Sequence, residues 1–322
     1  MKKQYVSEIK GGDSIDDVFV ITDKVLSQKK DGNNYLNVTL SDRTGHIKGV
    51  MWDNVDQVIA SGLSAGDFVL VSGSVGEYRG NLQLVVKQMA ACPADKLEFS
   101  DFLPQTRHSI DSMFERLVEL TNAMESSHFK LLFRRFWEDE DFVRQFKNAP
   151  AAKNMHHAYI GGLLEHTLSM ALLVERIAGH YSGVDMDLLL AGVILHDVGK
   201  TKEFEYGSRI DYSDKGRLLS HIVIGLELVE IKLQEIPDFP PEQALLLKHL
   251  IVSHHGSMEF GSPEPPKTIE AFLLNYIDEI DSKVNGIRDF ISKEDPGESW
   301  SSYHRVLGRH FYLGEKKGDQ TD

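Results

Sequence analysis

The stretch 188–200, LLLAGVILHDVGK, decides how the second half of this chain folds. A run of aliphatic residues leads directly into His196 and Asp197, where a helix should show its apolar face. A buried, unpaired carboxylate is too costly to keep in a core. The same pattern recurs outward from this point. His166 shares a helical stripe with Leu163 and Met170. His221 lies on a stripe with Ile224, Gly225 and Leu228, and His254 and His255 follow Leu250 and Ile251 at a spacing of four. Asp278 follows Leu274 and Ile277 in IEAFLLNYIDEID, 269–281, and His157 is a looser candidate. One histidine on an apolar face is usually a hydrogen-bonded core residue. Five helices that each turn a polar group towards the core require a shared cation, so the set reads as a metal centre.

The single cysteine, Cys92, excludes a disulfide framework and a thiolate cluster, so the ligands are nitrogen and oxygen. That donor set suits manganese, iron, cobalt, nickel or zinc. Manganese is favoured, and magnesium stays open. The 322 residues are enough for two domains, and 41% hydrophobic with 26% charged content is ordinary for a globular protein. The start, MKKQYVSEIKGGDS, has no apolar stretch after its lysines and so does not read as a signal peptide. No run approaches the roughly 20 apolar residues of a membrane span. A cytoplasmic enzyme without a membrane partner is the expectation. A net charge of −14 argues against a broad, sequence-blind surface for nucleic acid, though not against a local basic groove.

The first 95 residues read as strands: DVFVITDKVLSQKK (17–30), NYLNVTLSD (34–42), GHIKGVMW (45–52), DFVLVSGSVGEY (67–78) and NLQLVVKQM (81–89). The turn sequences DGNN, DRTG, SAGD and YRGN separate them. One helical piece, NVDQVIASGL (54–63), sits between the third and fourth strands. Five strands with that insert suggest a small Greek-key barrel of the oligonucleotide-binding (OB) type. After Pro93 the pattern is helical almost to the end. Residues 109–147 give two or three amphipathic helices, and further helices are expected near 163–180, 187–197, 218–235, 242–255 and 268–292. Pro241 suits a first helical turn, Gly256 a C-terminal cap, and Gly199 the end of its helix. The expected fold is two-domain, β then α: a barrel over 1–95, a helical linker over 96–148 packing on the catalytic domain, an all-α domain over 149–313 and a polar tail over 314–322.

The order His, His-Asp, His, His-His, Asp resembles the HD phosphohydrolase superfamily over about residues 150–290, with ILHDVGK as the signature segment. The resemblance implies that His166, His196, Asp197 and Asp278 hold one metal. It also implies that Asp197 bridges to a second held by His221 and His254, with His255 an additional or alternative ligand. Two divalent ions would activate a water for attack on phosphorus. Lys200 would neutralise a phosphate oxygen or the departing oxyanion; the plainer reading is a solvated helix-end cation. Asp281, one turn after Asp278, would orient a ligand histidine or serve as an ion-pair partner.

The whole chain is similar to the YhaM-type 3′→5′ exoribonuclease family. The similarity is carried by YLNVTLSDRTGHIKGVMWD (35–53), APAAKNMHHAYIGGLLEHT (149–167), ILHDVGK (194–200), LLSHIVIG (218–225) and the region 247–284. It implies hydrolysis of single-stranded RNA, with single-stranded DNA also open, to 5′-mononucleotides. OB barrels hold single strands by stacking bases on aromatics beside basic residues. Candidates are Tyr35, Trp52 and Tyr78 with Lys29, Lys48 and Arg79, and Trp52 reads equally as a barrel-end core residue. His157 and the HHAYIGG loop would touch the terminal phosphate or ribose, or only shape the loop. Two other readings stand beside this one: a phosphohydrolase or phosphodiesterase of free or cyclic nucleotides, and a non-catalytic single-strand-binding module with a structural metal. The sequence leaves a homo-oligomer open.

Overall fold

The computed structural model describes residues 2–29, 32–93, 97–153, 157–177, 179–295 and 297–315. His156, the 95/96 boundary and most of the polar tail, 316–322, lie outside the described residues. The chain divides into two compact units: residues up to Arg107 with Glu205–Asp211, and His108–Phe204 with the residues from Tyr212 onward.

The first unit is a closed barrel of β1 (Ser14–Gln28), β2 (Asn34–Asp42), β3 (Gly45–Met51), β4 (Phe68–Tyr78) and β5 (Asn81–Ala91), in the order β1-β2-β3-β5-β4. All pairings are antiparallel except β3 with β5. Closure depends on β1. Its first half pairs with β4 and its second half with β2, and a bulge between Ile21 and Asp23 turns the corner. Alternation along the strands sends Phe19, Leu36, Leu40, Ile47, Val71 and Leu84 inward. The short helix α1 (Val55–Ala60), between β3 and β4 as expected, adds Val55 and Val58 to that core. The first residues are strapped to the barrel by a buried cation. The Lys2 ammonium donates to the Val18 carbonyl at 2.7 Å, lies 3.3 Å from Asp42 and sits 3.7 Å over the Phe19 ring.

The second unit begins with α2 (Ile110–Ala123), α3 (Ser127–Trp137) and α4 (Glu140–Asn148). Their first turns are capped by the side chains of Ser109, Ser126 and Asp139. Phe129, Phe133, Phe136 and Phe146 are fully buried, and the Trp137 indole donates to Thr121 Oγ1 at 3.1 Å. Then come α5 (Gly162–Ile177), α6 (Met186–Leu195), α7 (Lys200–Glu203), α8 (Asp214–Gln234), α9 (Pro241–Ser253) and α10 (Ile269–Ile291). Every residue of α6 from Leu188 to Leu195 is buried. A helix apolar on all sides belongs in the middle of a bundle, and α6 packs against α5, α9 and α10.

Besides the short α7, two features were not read from the sequence. A small hairpin, β6 (Phe204–Tyr206) and β7 (Ile210–Tyr212), interrupts the helical run. Helix α8 starts at Asp214, four residues earlier than expected, because the Ser213 side chain accepts from the Gly216 amide at 2.9 Å. It is then broken at Ser220, whose φ of 60° and ψ of 164° are non-helical. Gly199 does not end its helix by a left-handed turn, since its φ is −60°. It is small because a Cβ there would lie 1.9 Å from the His221 carbonyl oxygen.

Gly73 marks the matching constraint in the barrel, at the irregularity between β4 and β5. A Cβ at this position would come 2.3 Å from the Val85 carbonyl oxygen. Gly73→Ala should therefore destabilise the barrel by about 1–3 kcal/mol. Urea unfolding reads this as a lower midpoint at unchanged slope; an unaltered midpoint would mean that the two strands part there without cost.

Candidate metal centre

Helix α6 ends by presenting His196 and Asp197 to the interior. The His196 Nδ1 donates to the Val193 carbonyl at 2.8 Å, which fixes the proton on that nitrogen and leaves Nε2 as a bare lone pair. Helix α9 repeats the device: His254 Nδ1 donates to the Ile251 carbonyl at 2.7 Å. The other two imidazoles are held by carboxylates. On α5, His166 Nδ1 donates to Asp281 Oδ2 at 2.8 Å. On α8, His221 Nδ1 donates to Glu203 Oε1 at 3.1 Å.

All four Nε2 atoms face Asp197, and they divide between its two oxygens. Oδ2 lies 3.2 Å from His196 Nε2 and 3.8 Å from His166 Nε2. Oδ1 lies 3.5 Å from His221 Nε2 and 3.8 Å from His254 Nε2. Asp278 Oδ1 is 3.4 Å from His166 Nε2, and His255 Nε2 is 3.2 Å from His221 Nε2. The structure thus brings together His166, His196, Asp197, His221, His254, His255 and Asp278. Donor atoms of His221, His254 and His255 lie within 4.8 Å of one another, as do those of His166, His196 and Asp197.

The fit to divalent metal is tested by hydrogen bonding. His196 Nε2, Asp197 Oδ1 and His254 Nε2 are buried and have no hydrogen-bond partner among the described residues. Orphaned polar atoms are rare in protein interiors, and cations bound on the two sides of Asp197 would satisfy all three. Electrostatics agree. Burial opposes the charge of Asp197, yet Lys200 and His196 hold its carboxyl well below the ordinary range. Burial likewise opposes charge on Asp278 and Asp281, but His166 holds the first down, and His157 and His166 the second. Three ionised carboxylates therefore surround the imidazoles. Burial and neighbouring imidazoles push His254 down, and burial lowers His255 to about 4, so both offer neutral nitrogen. Burial opposes charge on His166, but Asp278 and Asp281 raise its pKa to about 9.

The remaining candidates fall in distinct places. Lys200 is not a solvated helix-end cation, because its ammonium sits 2.6 Å from Asp197 Oδ2. Asp281 accepts from His166 and from Ser169 Oγ, behind the ligand cluster. His157 is 3% exposed. Its Nδ1 lies 2.7 Å from the Tyr159 hydroxyl and its Nε2 3.3 Å from Asp281 and 3.2 Å from Asn285 Nδ2. Its donor atom lies within 4.8 Å of those of both His166 and Asp281, and its ring centroid is 5.7 Å from that of His166. Glu203 was missed by sequence reading. The available signal was an acidic residue six positions after Asp197, which spacing alone does not distinguish from a surface charge.

On the barrel, the Tyr35 and Trp52 rings stack with centroids 4.9 Å apart, and the Lys29 ammonium lies 5.2 Å over Trp52. Trp52 is 43% exposed, so it is no barrel-end core residue. Tyr78 is exposed with the Arg79 guanidinium 5.3 Å over its ring. Tyr78, Arg79 and Lys48 line one groove of about 820 Å³. Trp52 directly follows β3, whereas the groove is lined by His46, Ile47 and Lys48 from within it.

The protonation states set a pH profile for the metal-free protein. Neutral His255 contributes stability fully above pH 6.5, its ordinary value, and loses it as pH falls towards about 4, because only the unfolded chain takes up the proton there. His166 acts in the opposite sense, contributing fully below 6.5 and losing it as pH rises to about 9. The melting temperature should peak near neutral pH and fall on both sides. Loading with manganese should remove the alkaline fall, since a ligating imidazole is already deprotonated. A flat profile without metal would contradict this charge arrangement.

Comparison with known proteins finds a match within each unit. Residues 163–283 match the HD domain family, and residues 19–90 match the OB-fold nucleic acid binding domain family. Residues 97–182 match a third family, TraI_2, named for helicase proteins. Among solved structures, the second OB-fold domain of replication protein A from Methanococcus maripaludis is 23% identical, with 30% of this chain and 100% of that chain covered at a TM-score of 0.24. The mitochondrial single-stranded DNA binding protein Rim1 from S. cerevisiae is 18% identical, with 25% and 95% covered at a TM-score of 0.22. The chain joins an N-terminal closed barrel that matches an OB-fold nucleic acid binding domain to a helical region that matches an HD domain and carries a buried cluster of histidines and aspartates.

Proposed function

We propose that this protein is a cytoplasmic, metal-dependent 3′→5′ exoribonuclease that hydrolyses single-stranded RNA to 5′-mononucleotides. The observation that carries the reading is Asp197, buried with its two oxygens facing two separate pairs of imidazole Nε2 atoms. His166, His196, Asp197 and Asp278 would hold one divalent ion, and Asp197, His221, His254 and His255 a second. Such a pair lowers the pKa of water and neutralises charge on a phosphoryl group. The protein side chains supply the rest. His196 and His254 are fully buried and form the floor of the site. Asp278, Lys200 and His221 keep 17%, 15% and 13% of their side-chain surface, so a phosphate would approach over them. Lys200, kept charged against burial by Asp197, stands where it can offset negative charge on a phosphoryl or leaving oxygen.

The barrel supports a strand as the substrate. The Tyr35–Trp52 stack beside Lys29, with Tyr35 half-buried and Trp52 exposed, offers a platform for a base and a cation for its phosphate. The basic residues at Lys48 and Arg79 lie with Tyr78 along one groove, so binding does not require the whole surface to be positive. The net charge of −14 instead favours hydrolysis of small nucleotides, the second reading.

Strand substrates and small ones separate the two. Single-stranded RNA labelled at its 5′ end, incubated with protein and manganese, should shorten stepwise from the 3′ end and release 5′-mononucleotides. Internal cuts, or turnover confined to free nucleotides, would refute the exonuclease reading. Asp197→Ala should lower turnover by at least about 10²–10³-fold with the circular-dichroism spectrum unchanged; persistent activity would remove the bridging role. Trp52→Ala should weaken strand binding by about 1–3 kcal/mol while leaving hydrolysis of a small phosphodiester intact. Equal loss on both substrates would place Trp52 outside strand recognition.

A further inference from the structure

The two carboxylate-backed imidazoles are not alike in construction. Asp281 reaches His166 from one turn beyond Asp278 on the same helix. Glu203 reaches His221 from α7, and it does so at a break in α8. Ser220 holds a φ of 60° and a ψ of 164°, a conformation that glycine alone adopts readily. Strained backbone of this kind persists only where its surroundings impose it. Here the break starts a new helical turn at His221. The His221 amide donates to Glu203 Oε1 at 2.8 Å, and the same oxygen accepts from His221 Nδ1 at 3.1 Å. One carboxylate oxygen therefore caps the new turn and fixes the ring tautomer together. Nε2 is left facing Asp197 and His255.

The surrounding packing pins this carboxylate in place. The Glu203 carbonyl accepts from the Ser213 amide at 2.9 Å. A Cβ on Gly216 would lie 2.2 Å from that carbonyl oxygen, and one on Gly199 would lie 1.9 Å from the His221 carbonyl oxygen. Backbone thus meets backbone on both sides of the Glu203–His221 pair, and Glu203 is itself 5% exposed. His196 and His254 need no such side chain, because main-chain carbonyls three residues back orient them. Each half of the centre consequently contains one carbonyl-oriented and one carboxylate-oriented imidazole, and the second half has His255 in addition.

We propose that Glu203 is the positioning residue for the half of the metal centre built on His221, orienting that imidazole and strengthening it as a ligand by its negative charge. The proposal rests on the two-metal reading above. Outer carboxylates of this kind alter metal affinity by about 10–100-fold.

Full-length wild-type protein, Glu203→Gln and Glu203→Ala would be stripped of metal and titrated with manganese by calorimetry, with elemental analysis for stoichiometry. The amide oxygen of Glu203→Gln still accepts both N–H groups, so the cap and the metal-free melting temperature should survive while the charge is lost. The expected result is one ion bound with wild-type affinity and a second weakened by about 10–100-fold. Glu203→Ala should lose the second ion and also melt earlier without metal. Two ions at wild-type affinity in Glu203→Gln would overturn the proposal and leave Glu203 a structural cap. Equal weakening of both ions would overturn it as well. A wild-type protein that binds one ion or none would instead defeat the two-metal reading itself, a result visible before any variant is compared.

Discussion

The structure of the helical unit depends on one buried carboxylate. Asp197 sits in the interior with four imidazole nitrogens around it, two to each oxygen. Without a cation this is a poor use of a core. Ionised carboxylates and imidazole nitrogens are held out of water, and three of those atoms lack a hydrogen bond among the described residues. A divalent ion reverses the balance, because the same lone pairs then become ligands. The lowered pKa values of His254 and His255 and the ionised state of Asp197 and Asp278 are the protonation states that ligation requires.

The bundle is arranged to satisfy that carboxylate. Helix α6, apolar on every side, occupies the middle and delivers the His196-Asp197 pair at its C-terminal end. There the last turn leaves carbonyls free to accept from an imidazole, a role that Val193 plays for His196 and Ile251 for His254. Helix α8 cannot bring His221 in the same way, since His221 lies within the helix and not at its end. It is broken at Ser220 instead, and Glu203 replaces the missing carbonyl. Gly199 permits the approach of α8.

The barrel obeys a different economy. Its interior is filled by alternating aliphatic side chains, and its chemistry lies outside, in rings that have no packing reason to be exposed. The Tyr35–Trp52 stack is held at the junction of β2 with the end of β3, and Arg79 is carried over Tyr78 by a tight turn in which Arg79 and Gly80 both take positive φ.

Much of this was legible in the chain itself. Period-two alternation placed the five strands and the helix between β3 and β4 to within a few residues, because side-chain direction in a strand follows directly from position. The helical stripes identified which histidines and aspartates turn inward, for the same local reason. Tertiary structure alone decided which of those groups meet, and through which atom. The oxygen of Asp197 that faces each imidazole, the contact of His157 with Asp281 beside His166, the engagement of Lys200 with Asp197 and the place of Glu203 beside His221 all depend on how separate helices converge. Spacing along a chain encodes the face of one helix; the distance between two faces is set only when they pack.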